Sequence, residues 1–436
     1  MLDIWIDMII CIFYLLFFTT PYIVGDILQL KFIRQKLCEK PVLLPQKDYE
    51  EAGNYAIRKM QLSIISQILD GIIFAGWVFF GLTHLEDLTH HLNLSETLGY
   101  LVFALLFLAI QSVLSLPISY YTTMHLDKEF GFSKVSFSLF FKDFFKGLSL
   151  TLSVGLLLIY TLIMIIEHVE HWEISSFFVV FVFMILANLF YPKIAQLFNQ
   201  FTPLNNRDLE SQIEGMMDKV GFKSEGIFVM DASKRDGRLN AYFGGLGKNK
   251  RVVLFDTLIS KVGTEGLLAI LGHELGHFKN KDLLKSLGIM GGLLALVFAL
   301  IAHLPPLVFE GFNVSQTPAS LIAILLLFLP VFSFYAMPLI GFFSRKNEYN
   351  ADKFGASLSS KEVLAKALVS IVNENKAFPY SHPFYVFLHF THPPLLEHLK
   401  ANENKAFPYS HPFYVFLHFT HPPLLEHLKA LDYEIE

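Results

Sequence analysis

Seven apolar runs divide the chain, at Ile4 to Val24, Leu62 to Leu82, Leu98 to Leu116, Leu148 to Ile166, Ile174 to Tyr191, Leu284 to Ile301 and Leu321 to Leu339. A helix of about 20 apolar residues crosses a hydrocarbon core, so the pattern predicts a mainly α integral membrane protein with seven transmembrane helices. The first run has no basic segment ahead of it, since Asp3 and Asp7 precede the first base, Lys31, and no small-residue cleavage site follows. It is therefore expected to be a retained span rather than a signal peptide.

The polar connections orient the bundle. The first tail and the loops 83–97, 167–173 and 302–320 hold no Lys or Arg, whereas every intervening connection is basic. By the positive-inside rule the N-terminus is expected outside and the C-terminus inside, in a bacterial inner membrane or the endoplasmic reticulum. The segments 192–283 and 340–401 then share the cytoplasmic side of a five-span block, 1–191, and a two-span block, 284–339. In the first segment, Leu209 to Val220 has amphipathic helical spacing. Gly226 to Met230, Ala241 to Phe243 and Arg251 to Phe255 read as short strands between turns such as Gly247-Lys248-Asn249. The expectation is a small α+β unit with an antiparallel sheet, followed by a helix from Glu265 to Phe278 with Thr264 as its N-cap.

Composition agrees with a bilayer environment: 53% of residues are hydrophobic and only 17% charged, against about 25% charged in soluble chains. The net charge of −5 argues against a nucleic-acid partner. Two cysteines, Cys11 and Cys38, are too few for a disulfide framework or a thiolate metal cage.

The predicted helix carries His273-Glu274-Leu275-Gly276-His277. Histidines four apart project from one helix face and reach a single metal ion, while Glu274 stands about 100° round, beside the metal rather than on it. A catalytic zinc site takes three protein ligands and leaves one position open. Glu348-Tyr349-Asn350-Ala351-Asp352, on the same predicted side, supplies a carboxylate ligand in Glu348. Asp352, one turn further, can fix the tautomer of a ligand histidine. Taken singly, such groups are more often ordinary helix-face residues; the shared sidedness makes them a site. His84, His90, His91, His168, His171 and His303 fall in the base-free loops or at their edges and read as ordinary polar residues. Asn93-Leu94-Ser95 and Asn313-Val314-Ser315 fit the N-glycosylation sequon on that outer side, a short pattern of low specificity.

These motifs resemble those of the type I CAAX prenyl proteases. Arg238-Leu239-Asn240-Ala241-Tyr242-Phe243, Val253-Leu254-Phe255-Asp256-Thr257-Leu258 and Thr391-His392-Pro393-Pro394 add to the likeness, as do Phe130-Gly131-Phe132 and Leu197-Phe198-Asn199. The resemblance runs from about Pro41 to Leu399. It implies seven helices forming a chambered barrel, with a small zinc metalloprotease domain at its cytoplasmic end. It further implies one Zn2+ held by His273, His277 and Glu348, with Glu274 as general base. Asn240 and Ala241 would lie on the strand edge that pairs with substrate, and His392 would stabilise the oxyanion. The implied substrates are prenylated CaaX tails or other membrane-associated peptides. A membrane quality-control metalloprotease is the alternative reading. A non-catalytic zinc-binding or transport protein is a third, disfavoured because Glu274 is present and no ionisable pair lies in mid-membrane.

One feature departs from that resemblance: Asn373 to Ala401 recurs unchanged as Asn402 to Ala430. Repeat architectures diverge and need three or more units, so the second copy reads as a recent duplication or an artefact of sequence assembly. His392 and His421 are thereby duplicate candidates, and the first is expected to act because it continues directly from the helix bearing Glu348. The charge alternation predicts that single cysteines at Ser95 and Lys248 react with an impermeant reagent from opposite sides of sealed vesicles. Reaction of both from one side would contradict the seven-span topology.

Overall fold

The computed structural model describes residues 2–244 and 250–393; the turn at Gly247-Lys248-Asn249, Pro394, the second repeat and His421 lie outside them. Among the described residues, seven helices are long and apolar enough to cross a membrane: α1 (Trp5–Leu37), α2 (Gln46–His91), α3 (Glu96–Glu129), α4 (Phe137–His168), α5 (Trp172–Phe198), α8 (Asp282–Ile301) and α9 (Pro318–Leu358). Their outward faces carry large exposed apolar side chains, including Trp5, Ile72, Leu157 and Phe178, as lipid contact requires. Inside, aromatic packing joins the first, second and seventh spans: Tyr14 stacks on Phe74 at 3.8 Å and Phe18 meets Phe334 edge-on at 5.7 Å.

The helices outrun the apolar segments that announced them. With 41 residues, α9 is about 60 Å long at 1.5 Å per residue, roughly twice the hydrocarbon thickness. The helix that crosses the membrane therefore carries Glu348 and Asp352 as a rigid extension.

Between α5 and α8 stand β1 (Phe201–Pro203), α6 (Arg207–Lys219), β2 (Ile227–Met230), β3 (Ala241–Gly244), β4 (Arg251–Phe255) and α7 (Thr264–Lys279). The strand order is β1-β2-β4-β3. The sheet is mixed rather than antiparallel as expected, because β2 and β4 run parallel with Ile227 opposite Val252, while β1 and β3 are antiparallel to their neighbours. The cause is visible in β4, where Val252, Val253 and Leu254 are all fully buried. Covered on both faces, it is a central strand with a continuous apolar run. Beneath it, Ile213, Leu258, Leu267, Leu271 and Leu275 join the sheet to α6 and α7. Gly263, not Thr264, occupies the N-cap position of α7.

Beyond α9 come α10 (Lys361–Glu374) and α11 (Pro383–His389). α7 packs along α9 in one of the most extensive contacts between elements among the described residues. It is made by small residues. A Cβ on Gly276 would stand 2.8 Å from Ala351 Cα, and one on Gly355 would stand 2.8 Å from the backbone N of His273. Gly276→Ala should accordingly cost about 1–3 kcal/mol through overpacking, read as a lower thermal midpoint and weaker zinc retention. Gly288→Ala, where a Cβ meets nothing within 4 Å, should be neutral; equal stability of the two variants would contradict so close a crossing.

Candidate active site

The helical period puts His273 and His277 on the face of α7 turned to α9, with their rings 4.9 Å apart. A carboxylate holds each ring from behind. His273 Nδ1 lies 2.8 Å from Asp352 Oδ1, and His277 Nδ1 lies 3.0 Å from Asp282 Oδ2. With Nδ1–H donated outward, both Nε2 lone pairs face the same point, 3.3 Å apart. Glu348, 5% exposed, completes the group: its carboxylate oxygens lie 3.4 Å from His273 Nε2 and 3.6 Å from His277 Nε2. Two lone pairs and a buried carboxylate converging in this way leave a concentration of negative potential that a cation satisfies.

The spacing also fits the ion. A tetrahedron with ligand bonds of about 2.05 Å has edges of about 3.3 Å, close to the three separations observed. Among the described residues, His273, His277 and Glu348 are the group able to hold a metal. Burial works against a charged His273, yet hydrogen bonds to Asp352 and Glu348 and the charge of Glu274 outweigh it and raise the ring's proton affinity. The same field favours a metal ion at Nε2. Burial likewise raises the proton affinity of Glu274, partly offset by the two histidines.

Glu274 opens on the cavity of about 820 Å³ that the three candidate ligands line, together with Asn240, Ala241 and His392. His392 Nε2 stands 3.3 Å from Glu348 Oε1, and its side chain is 71% exposed to the cavity. Arg345, buried in α9, donates to the carbonyls of Val386 and Phe390. It thereby ties the end of α11, and the chain leading to His392, to the helix that bears Glu348. His389 lines the same cavity, but burial among Tyr22, Phe334 and Tyr385 lowers its pKa to about 4. None of His84, His90, His91, His168, His171 and His303 lines this cavity.

The strand edge is equally defined. Asn240 C=O accepts from Phe255 N–H across β4, so alternation turns the N–H and C=O of Ala241 away from β4; the N–H donates to Asn240 Oδ1 at 2.8 Å, and the C=O faces the open edge. Upstream, the Arg238 guanidinium bonds Asp127 at 2.8 Å, Asp236 at 2.7 Å and the Tyr55 hydroxyl at 2.5 Å, and lies over the Phe132 ring at 4.1 Å. Gly131 makes that clamp with a φ of 79°, open to glycine, and Phe132 C=O accepts from Gly237 N–H. Asn199 accepts from Arg235, which also forks onto Asp143. Both aromatic and asparagine motifs thus fasten the sheet unit to the membrane helices.

Asp282 and Arg345 were missed from the sequence. The signal for Asp282 was its place five residues after His277. The left-handed turn at Lys281, with φ 56°, brings it back to the ring.

This arrangement is that of a metallopeptidase set among membrane helices. Residues 203–435 match the family model for peptidase family M48, and residues 38–200 match that described as CAAX prenyl protease N-terminal, five membrane helices. The chain belongs to peptidase family M48, and is a zinc metalloendopeptidase of the multi-pass membrane type. It is 30% identical to the CAAX prenyl protease 1 homolog of Taenia solium over 90% of this chain and 94% of that one. It is also 30% identical to CAAX prenyl protease 1 of Saccharomyces cerevisiae over 84% and 89%. The crystal structure of S. mikatae Ste24p superposes with a TM-score of 0.79 at 28% identity, over 91% of this chain and 98% of that one.

Because Asp282 orients a candidate ligand, Asp282→Ala should weaken zinc binding about 10- to 100-fold, measured by competition with a chelator. Unchanged affinity would show that Lys285, 2.8 Å from Asp282, is that carboxylate's only functional partner.

Proposed function

We propose that the protein cleaves prenylated CaaX-type tails at a site formed by His273, His277 and Glu348 as zinc ligands and Glu274 as general base. The observation that carries this reading is that the metal-binding group, a strand edge and membrane helices line one cavity, beside the names of the relatives. The distribution of Lys and Arg supports a cytoplasmic site. A peptide laid along the open edge of β3 donates a main-chain hydrogen bond to Ala241 C=O and takes the place of the neighbouring Asn240 Oδ1 at Ala241 N–H, which admits varied side chains. When bound, zinc acidifies water and polarises the scissile carbonyl. Glu274 takes the water's proton and returns it to the leaving amine. His392 Nε2 donates to the oxygen that gains charge in the transition state. Asp352 and Asp282 keep the ligand rings in the tautomer that presents Nε2.

The test is cleavage of a farnesylated CaaX peptide against its unprenylated counterpart by purified protein. Preferential cleavage of the farnesylated peptide is expected, and equal cleavage would favour a general membrane quality-control protease. Glu274→Gln should retain zinc and lose hydrolysis, while His392→Ala should lower kcat by about 10² to 10³. Full turnover by either variant would remove the role assigned to that residue.

A further inference from the structure

Three cations line the active-site cavity, and two of them are already neutralised. Arg238 is paired with Asp127 and Asp236, and Lys376 with Glu51 at 2.5 Å. Lys59, exposed to the cavity from α2, has no hydrogen-bond or ion-pair partner among the described residues. Its Nζ lies 5.5 Å from the centre of the Tyr55 ring, the ring that Arg238 also faces. Arg238 and Asp127 act on Lys59 through space, but Asp127 is itself bonded by Arg238 and Tyr55; a cation with no direct partner on the wall of a partly enclosed cavity offers an anion subsite.

The open strand edge ends at Leu239, next to Arg238, whose guanidinium faces the same Tyr55 ring as Lys59. Leu239 is the next residue upstream of Ala241 to face outward, and its N–H and C=O are both occupied by the Asn375 side chain, at 2.7 and 3.2 Å. A substrate strand pairing with Ala241 therefore cannot continue past Leu239. From Ala241 back to Arg238 an extended chain covers about 10 Å, the length of three residues. The same cavity wall carries the aliphatic side chains of Leu258, Ile270, Leu364, Leu368 and Ile371.

We infer that Lys59 receives the terminal α-carboxylate of the peptide tail, so that the site measures a short aliphatic segment between the scissile bond and a free C-terminus. The inference rests on the CaaX reading and adds the group that recognises the chain end. Charge also sets the polarity of the bound strand: its carboxyl end lies towards Lys59 and Asn375, and its amino end runs out past the metal group.

Two prenylated peptides of one sequence, ending in a carboxylic acid and in a carboxamide, test this in the full-length zinc enzyme. A charge-assisted contact corresponds to about 10- to 100-fold in kcat/KM, so wild-type protein should prefer the acid by that factor. Lys59→Gln should bring the acid-to-amide ratio close to one and Lys59→Arg should keep most of it, with zinc content checking that each variant is folded. A wild-type ratio near one, or an unchanged ratio in Lys59→Gln, would overturn the inference and leave the CaaX reading standing. Failure of wild-type protein to cleave either peptide would overturn both.

Discussion

The structure depends on how closely α7 and α9 approach. Helices with ordinary side chains at their contact lie 8–10 Å apart. Here Gly276 faces the backbone of Ala351, and Gly355 faces that of His273. That approach brings Glu348 within 3.4 Å and Asp352 within 2.8 Å of the same imidazole. One interface thus supplies a candidate ligand and the group that orients another candidate. Burying several carboxylates and imidazoles together is costly unless a counter-charge joins them. The metal and the crossing therefore stabilise each other, as in other sites where binding free energy contributes to folding.

The second constraint is the attachment of the sheet to the bundle. Arg235 on Asp143, Arg238 on Asp127 and Lys376 on Glu51 tie residues of the soluble segments to membrane helices. These partly buried ties set the edge of β3 against the cavity, while α9 carries the carboxylates from the membrane to the same level. Chemistry and bilayer are in this way held at a fixed separation by rigid elements rather than by a linker.

Much of this was legible in the sequence because the signals were local. The seven runs follow from hydropathy, and the 3.6-residue period alone puts His273 beside His277 and Glu348 beside Asp352. The ends of the long helices were not legible: hydropathy marks the lipid-facing part of α9, whereas its continuation to Leu358 depends on packing against α7. The parallel pairing of β2 and β4 was missed for a similar reason, since pairing direction is a property of two distant segments. Asp282 escaped notice because it lies beyond the end of α7, and only the left-handed turn at Lys281 returns it to His277. The roles of Arg345 and Asn375 rest on contacts 45 and 136 residues away in sequence.

The central claim is that the α7–α9 crossing assembles a zinc site from two imidazoles and one carboxylate. X-ray absorption at the zinc edge of the purified protein reads the ligand set directly. The account predicts two imidazole nitrogens with oxygen in the remaining positions, all at about 2.0–2.2 Å. A sulfur shell near 2.3 Å, or a third imidazole, would contradict it.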